Sequence, residues 1–489
     1  MAITASMLYD LAQCAHRPTM DLYGDPEKRD EINPFVRLLW EKGNAFEEQT
    51  AEKFDSCVAD FTNHTADEKE ISTLAAIERR ESLIYGGRIR ADDLLGEPDL
   101  LRREGSGYVA GDIKSGAGEE GQDGKMRLKK HYGVQLALYT DILERLGYAS
   151  SRRPFIWDVD GNEVTYDLEE PQGQRNPTSL WSTYQRMLSI AQRIVAKQHT
   201  TLPAYGAPCK VCHWRSACIE KLEALDDLTL IPELGRSKRD AMVGQIATIS
   251  DFAQANIDDF LTEGGTVFRG IGEATLRKFH DRAVLSTTKG ANPYLTTPLI
   301  LPSAPTELFF DIEFDPMRNF CYLHGFIERL DGNTSSEKYT AFFVDQVCDE
   351  EEKRVFIEAL DYIRGHQPCV LYYFSKYERS IWRKLQQKYP HVCSAMEIET
   401  LFDADYAVDL YSDVVTKMTE WPTRDYSIKT LATYLGFTWR DQYPSGAASI
   451  EWFDQWAVAG DMAVKQRILD YNEDDCRATR VLLDGIREL

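Results

Sequence analysis

Two short stretches of this sequence place ionisable residues two apart: Asp112 and Lys114 in "GDIKSG", and Asp311 and Glu313 in "FFDIEFD". Along a β-strand, residues i and i+2 project from one face, so each pair acts together if its stretch is a strand. Asp112 with the upstream Asp99 of "GEPDLL" puts two hard carboxylates beside a lysine. That set suits Mg²⁺ bound through few protein oxygens, with Lys114 placed to polarise a water or stabilise charge on a phosphate. Gln135 and Tyr139 in "QLALY" stand four apart and share one helical face, and "WEKGNAFEEQT" supplies Glu47 on an expected helix.

The second pair has distant companions. "YNEDDCRAT" puts Tyr471 and Asp475 on one face of a helix, and Glu378 follows the strand-like run "LYYF". Three or four carboxylates can hold two Mg²⁺ ions for in-line attack of water on a phosphodiester while a tyrosine orients the water. The apolar "LFF" before Asp311 argues that these carboxylates are buried and need counter-charges, which metals supply. Asp409 in "YAVDLYSDV" is an alternative to Glu378, read first as strand-end or capping chemistry. A third cluster, "CKVCHWRSAC", sets Cys209, Cys212 and Cys218 at C-x2-C-x5-C spacing. Three thiolates do not complete a four-ligand soft-metal site. The fourth ligand is either His213, giving a local zinc site with awkwardly adjacent Cys212 and His213, or a cysteine remote in sequence.

These groups must be carried by more than one domain, because 489 residues exceed a single ordinary core. Hydrophobic content of 43% suffices to build several. Apolar runs of about 18 residues are absent, and the opening lacks a basic segment followed by an apolar one. A cytoplasmic protein with no membrane association is expected. Its ten cysteines should then be reduced, which favours a metal site over disulfides. The formal charge of −23 excludes a generic basic nucleic-acid coat but not a local basic track. "KMRLKKH" offers one through Lys125, Arg127, Lys129 and Lys130, although alone it reads as a solvated helix face.

The organisation expected is α/β and multidomain. Residues 1–222 read as mixed α/β and residues 223–283 as a small helical segment. In the latter, "IPELGRSKRDAM" and "FRGIGEATLRKF" form a weak repeat around Gly235 and around Gly270 and Gly272. Residues 284–305, with four prolines in "GANPYLTTPLILPSAP", read as a linker. Residues 306–489 alternate strands and helices. The glycines of the repeat would let backbone N–H groups approach a phosphate without reading sequence, as in helix-hairpin-helix elements. An ordinary helical hairpin with a glycine turn explains them equally.

The order helix-Glu, Pro-Asp, Asp-x-Lys, Gln-x3-Tyr resembles the RecB-like PD-(D/E)XK nucleases. The resemblance implies a restriction-endonuclease-like core with Glu47, Asp99 and Asp112 as ligands of Mg²⁺ or Mn²⁺, and Lys114, Gln135 and Tyr139 as catalytic groups. Phe46 stands next to Glu47, where the family often carries a metal-binding histidine. Iron–sulfur members of the group hold a [4Fe-4S] cluster with one cysteine before the core and three after it, which implies Cys14 with Cys209, Cys212 and Cys218. Tying two ends of a domain together is a physical reason for so wide a separation. The C-terminal pattern resembles the RNase H-like DEDD exonucleases of the tyrosine subtype, close to the YprB-like group. It implies Asp311, Glu313, Glu378 and Asp475 as metal ligands and Tyr471 as the group that positions water, with Glu378 where that group normally has Asp. The joint implication is a metal-dependent nuclease acting on DNA, with RNA open, preferring single strands or free ends, in repair, recombination or phage defence. The alternative is a nucleic-acid-binding adaptor whose sites have decayed and which serves a partner helicase. A redox sensor has no sequence feature of its own.

Overall fold

The computed structural model describes residues 1–52, 58–122, 125–173 and 177–489, which form two compact units, Met1–Ile219 and Glu220–Leu489. Among the described residues no helix is long and apolar enough to cross a membrane.

The first unit is built on a six-stranded mixed sheet. Its central strand, Gly107–Ile113, pairs antiparallel with Leu100–Glu104 and parallel with Phe155–Trp157. That central strand is buried on both faces, so its alternation sorts two cores rather than core from solvent. Tyr108 and Ala110 join the core made with helices Ala5–Gln13, Lys130–Leu146 and Leu180–Val195. Val109 and Ile113 join a smaller core with Tyr85, Leu100 and Phe155. Asp112 therefore points to the helical side. Phe46, on the helix Pro34–Ala51, packs against the smaller core. The position next to Glu47 thus serves packing, and it fixes the helix that carries Glu47.

The second unit joins the helical segment to a five-stranded sheet. The segment has its own core, including Leu234, Met242, Phe252, Phe268 and Phe279. Its last helix, Glu273–Thr287, runs into the residues expected as a linker, and strand Tyr294–Leu295 pairs with Thr419–Glu420. Buried Arg282 bonds Glu420 at 2.7 Å and Glu233 at 2.9 Å. The sheet order is Asn333–Phe343, Phe320–Leu330, Thr306–Asp315, Cys369–Tyr373, Ala407–Asp409; the first three strands are antiparallel and the last two run parallel to Thr306–Asp315. In Thr306–Asp315, Leu308, Phe310, Ile312 and Phe314 face one core, while Phe309 faces another, shared with the helix Met462–Arg487. Asp311 and Glu313 lie on the side of that helix.

One glycine in this sheet is required by a close approach. Gly325 pairs with Asp311 across the ladder, and a Cβ there would overlap Oδ1 of Asn472. Asn472 crosses that gap to donate to Asp311 Oδ2 at 2.7 Å. Gly325→Ala should cost on the order of 1–3 kcal/mol in urea unfolding, because both the strand and the helix are packed tightly there. An unchanged unfolding midpoint would show that Asn472 can be displaced freely.

Candidate active sites

In the second unit the strand delivers Asp311 and Glu313, and the middle of helix Met462–Arg487 delivers Tyr471 and Asp475. Among the described residues, Asp311, Glu313 and Asp475 are the group that brings three ligand atoms within 4.8 Å of one another. They line a cavity of about 270 Å³ together with Phe314, Tyr377 and Tyr471. A register shift between Glu313 and Phe314 bends the strand at this point, as bulges beside active sites do. Burial, then the Asp475, Glu313 and Glu378 carboxylates, push Asp311 well above the usual carboxylate range. Burial, then Asp475, raise Glu313 to about 8. Such crowding of buried acids is what bound cations relieve.

Glu378 opens the helix Tyr377–Lys388 and is 4% exposed. Burial, then Asp409 and Asp475, push it well above its ordinary value, and among the described residues its Oε2 has no hydrogen-bond partner. It sits close enough to raise Asp311 but outside the three-carboxylate group. Asp409 acts as a cap: its Oδ1 accepts from the N–H of Ser375 at 3.0 Å and of Ser412 at 2.8 Å.

The first unit gathers Glu47, Asp99, Asp112 and Lys114. The Lys114 ammonium lies 2.9 Å from Asp112 Oδ2, so the two share a side as strand alternation requires. The Ile113 N–H donates to Asp99 Oδ2 at 2.7 Å, and the Asp99 N–H to Asp112 Oδ1 at 3.4 Å. Tyr85 OH donates to Glu47 Oε1 at 3.1 Å. Burial, then Asp112, push Asp99 well above its ordinary value. Burial also raises Glu47, aided by Asp112 and opposed by the Tyr85 hydroxyl and Lys114. For Lys114 burial works downward, but Asp112 and Asp99 outweigh it and hold the ammonium above its usual value. Gln135 Nε2 donates to Tyr139 OH at 3.1 Å, and Tyr139 OH to the Glu97 carbonyl at 3.2 Å. This pair packs from the helical side, where Asp112 and Asp99 raise the buried phenol after burial itself.

Cys14, Cys209, Cys212 and Cys218 line one cavity of about 30 Å³ with Met20 and Trp214. Cys14 is the C-cap of the first helix, and Cys209 lies in the turn Ala207–Val211. His213 is turned to Asp21, whose Oδ1 is 2.7 Å from its Nε2.

Residues 9–219 match the family model of the PD-(D/E)XK nuclease superfamily, and residues 308–486 that of the RNase_H superfamily. The chain carries two nuclease-superfamily domains. No curated protein matches it.

In the RNase H-like domain, several site residues carry no spacing signal in the sequence. Lys429, near the start of helix Ile428–Tyr434, places its ammonium 3.0 Å from Tyr471 OH and 3.4 Å from Asp475 Oδ1. Trp439 Nε1 donates to Asp475 Oδ1 at 2.6 Å, and Tyr322 OH lies 3.4 Å from Glu313 Oε2. Lys429 could have been sought one residue beyond "YSI", where Ser427 caps a helix; the others are reached only through the fold.

In the PD-(D/E)XK domain, "KMRLKKH" is not a helix face. Lys125–Leu128 is a hairpin strand against Glu119–Gln122, and the helix begins at Lys130. Buried Asp158 holds the hairpin by accepting the Gly118 N–H at 3.3 Å, and Arg127 pairs with the opposite Glu120 at 3.0 Å. Lys129 lies 5.1 Å over the Tyr132 ring, Lys130 is exposed, and the Lys125 side chain lies outside the described residues. In the helical segment, Gly235 and Gly270 adopt φ of +66° and +79°, and Gly272 caps helix Glu273–Thr287 with open space around it.

Asp311→Asn retains an acceptor for Asn472 while removing one of the crowded charges. Metal-free protein carrying it should melt a few degrees higher than wild type, and the further rise on adding Mg²⁺ or Mn²⁺ should shrink. Equal metal-induced rises in both proteins would remove Asp311 from the ligand set.

Proposed function

We propose that this protein is a Mg²⁺- or Mn²⁺-dependent nuclease that hydrolyses DNA phosphodiesters, taking single strands or free ends, in repair, recombination or phage defence. The observation that carries this reading is the convergence of Asp311, Glu313 and Asp475 beside the Tyr471 hydroxyl in one cavity. A site decayed into an adaptor would gain nothing from keeping such mutually repelling acids buried, so the intact cluster favours the enzyme.

Divalent ions held by these carboxylates would act as Lewis acids on the scissile phosphate and acidify a bound water. In the RNase H-like domain Asp311, Glu313 and Asp475 are the ligands, with Glu378 closing the set from the facing helix. The Tyr471 hydroxyl, held by Lys429, orients the attacking water, which suits cleavage from a 3′ end. In the PD-(D/E)XK domain Asp99, Asp112 and Glu47 are the ligands and Lys114 stabilises charge on the phosphate, while Gln135 and Tyr139 brace the metal side of the strand. The basic hairpin residues Lys125, Arg127, Lys129 and Lys130 and the glycine turns at Gly270 and Gly272 contact backbone phosphates without reading sequence. Cys14, Cys209, Cys212 and Cys218 hold a [4Fe-4S] cluster that ties the first helix to the end of the domain. Their shared cavity and the diversion of His213 to Asp21 support that reading over zinc.

The reading is tested with end-labelled single-stranded DNA, duplex DNA and RNA in Mg²⁺ and Mn²⁺. Metal-dependent nucleotide release should disappear in the combined Asp112→Asn, Asp311→Asn protein; release that survives there would come from neither site. Within an Asp311→Asn background, Lys114→Ala should lower the remaining rate by two orders of magnitude or more, about 3 kcal/mol of transition-state stabilisation. A full rate would show that Lys114 is not part of a catalytic centre. Anaerobically purified protein should contain about four iron and four sulfide per chain. Cys14→Ala should lose the iron as completely as Cys212→Ala, whereas full iron in Cys14→Ala would remove the first helix from the cluster.

A further inference from the structure

The helix Tyr377–Lys388 starts at the mouth of the Asp311 cavity, and its cations fall into two kinds. Arg379 and Arg383 are held by Glu399, the latter at 2.6 Å, and Lys388 by Glu352 at 2.6 Å and Asp349 at 2.7 Å. Lys376 and Lys384 are exposed and have no acidic partner among the described residues. Tyr377 and Lys384, seven residues apart, fall on one helical face, and these two exposed side chains form a stripe from the cavity mouth along the helix over the buried Ile381. The Lys384 ammonium lies 5.6 Å over the ring of Phe314, and Phe314 meets Tyr377 edge-on at 6.4 Å. Phe314 and Tyr377 both line the cavity. Ring contacts through the buried Phe314 therefore link Lys384 and Tyr377 to the cavity.

We propose that this stripe is the track by which a single nucleic-acid strand enters the cavity, with the Lys376 and Lys384 ammonium groups on phosphates next to the one being cut. The proposal rests on the reading of the cavity as a nuclease site. Charge complementarity carries it. A chain of formal charge −23 must meet a polyanion with local cations, and cations already neutralised by Glu399, Glu352 and Asp349 contribute little net attraction. The two on this helix without an acidic partner among the described residues are Lys376, next to the cavity-lining Tyr377, and Lys384, over the cavity-lining Phe314.

The experiment measures binding of 5′-fluorescein oligothymidylate to the full chain across a salt series, with calcium in place of magnesium, alongside nucleotide release in magnesium. Each phosphate neutralised on a single strand contributes roughly 0.7 to the slope of log affinity against log salt, so Lys376→Gln, Lys384→Gln together should flatten the slope by about 1.4. Lys338→Gln, an equal charge change at an exposed position of the edge strand Asn333–Phe343, should leave the slope as in wild type. An unchanged slope in the double variant, or an equal change in Lys338→Gln, overturns the track. A flattened slope in a protein that releases no nucleotide keeps the track and rejects the nuclease reading. Wild type that fails to bind the oligonucleotide rejects both.

Discussion

The repulsion among buried carboxylates is the constraint around which the C-terminal domain is arranged. Asp311, Glu313 and Asp475 bring their oxygens within 4.8 Å with Glu378 behind them, a placement that opposes folding unless donors and cations meet it. The protein supplies part of that compensation itself, through the Asn472 amide, the Trp439 indole and the Lys429 ammonium. All three reach the acids from elements other than the strand that bears Asp311. The phase of helix Met462–Arg487 must therefore be fixed, since a rotation of one residue would swing Asp475 away by about 100°. Its far end is clamped by Arg329, 2% exposed, which bonds Glu307 at 2.7 Å and Asp484 at 2.9 Å, and by Arg487 on Glu307 at 2.7 Å. Because Glu307 belongs to the strand of Asp311, this buried ion network locks strand and helix in one register.

The N-terminal domain meets the same problem differently. Its ammonium sits closer, Lys114 lying 2.9 Å from Asp112 where Lys429 lies 3.4 Å from Asp475. The acids are also more dispersed, each held by a backbone N–H or a tyrosine hydroxyl. Phe46 anchors the helix of Glu47 to the sheet, so the residue beside the ligand does mechanical work for it. The two domains thus share carboxylate chemistry but differ in how much charge is left for added cations to neutralise.

What was legible in the sequence follows from range. The pairs Asp112–Lys114, Asp311–Glu313, Gln135–Tyr139 and Tyr471–Asp475 are set by the period of one strand or one helix, so their shared faces could be read directly. Lys429, Trp439, Tyr322 and Asn472 come to the site through tertiary packing, and no local period marks them. Gly325 looks like any strand glycine until the partner strand and the crossing helix are both known. The basic run at Lys125–Lys130 misled because its charge pattern fits a helix face; the hairpin depends on Asp158, some thirty residues away. Cys14 was reached by resemblance, since nothing in the spacing of the other three cysteines points to it.

The strong negative charge of the chain sits beside a function that requires contact with a polyanion, and distance resolves the conflict. At physiological ionic strength the Debye length is about 8 Å, so acids spread over the exposed surface are largely screened from a strand lying in a groove. On the proposed reading, a strand at the C-terminal cavity senses the charge within a few ångströms, such as the Lys384 ammonium over Phe314. On the metal-dependent reading, the carboxylates that line the cavity would repel phosphate at close range until cations meet their charge. Occupancy by divalent ions would then gate substrate entry as well as chemistry, because the same charges that need the metal also exclude the nucleic acid in its absence.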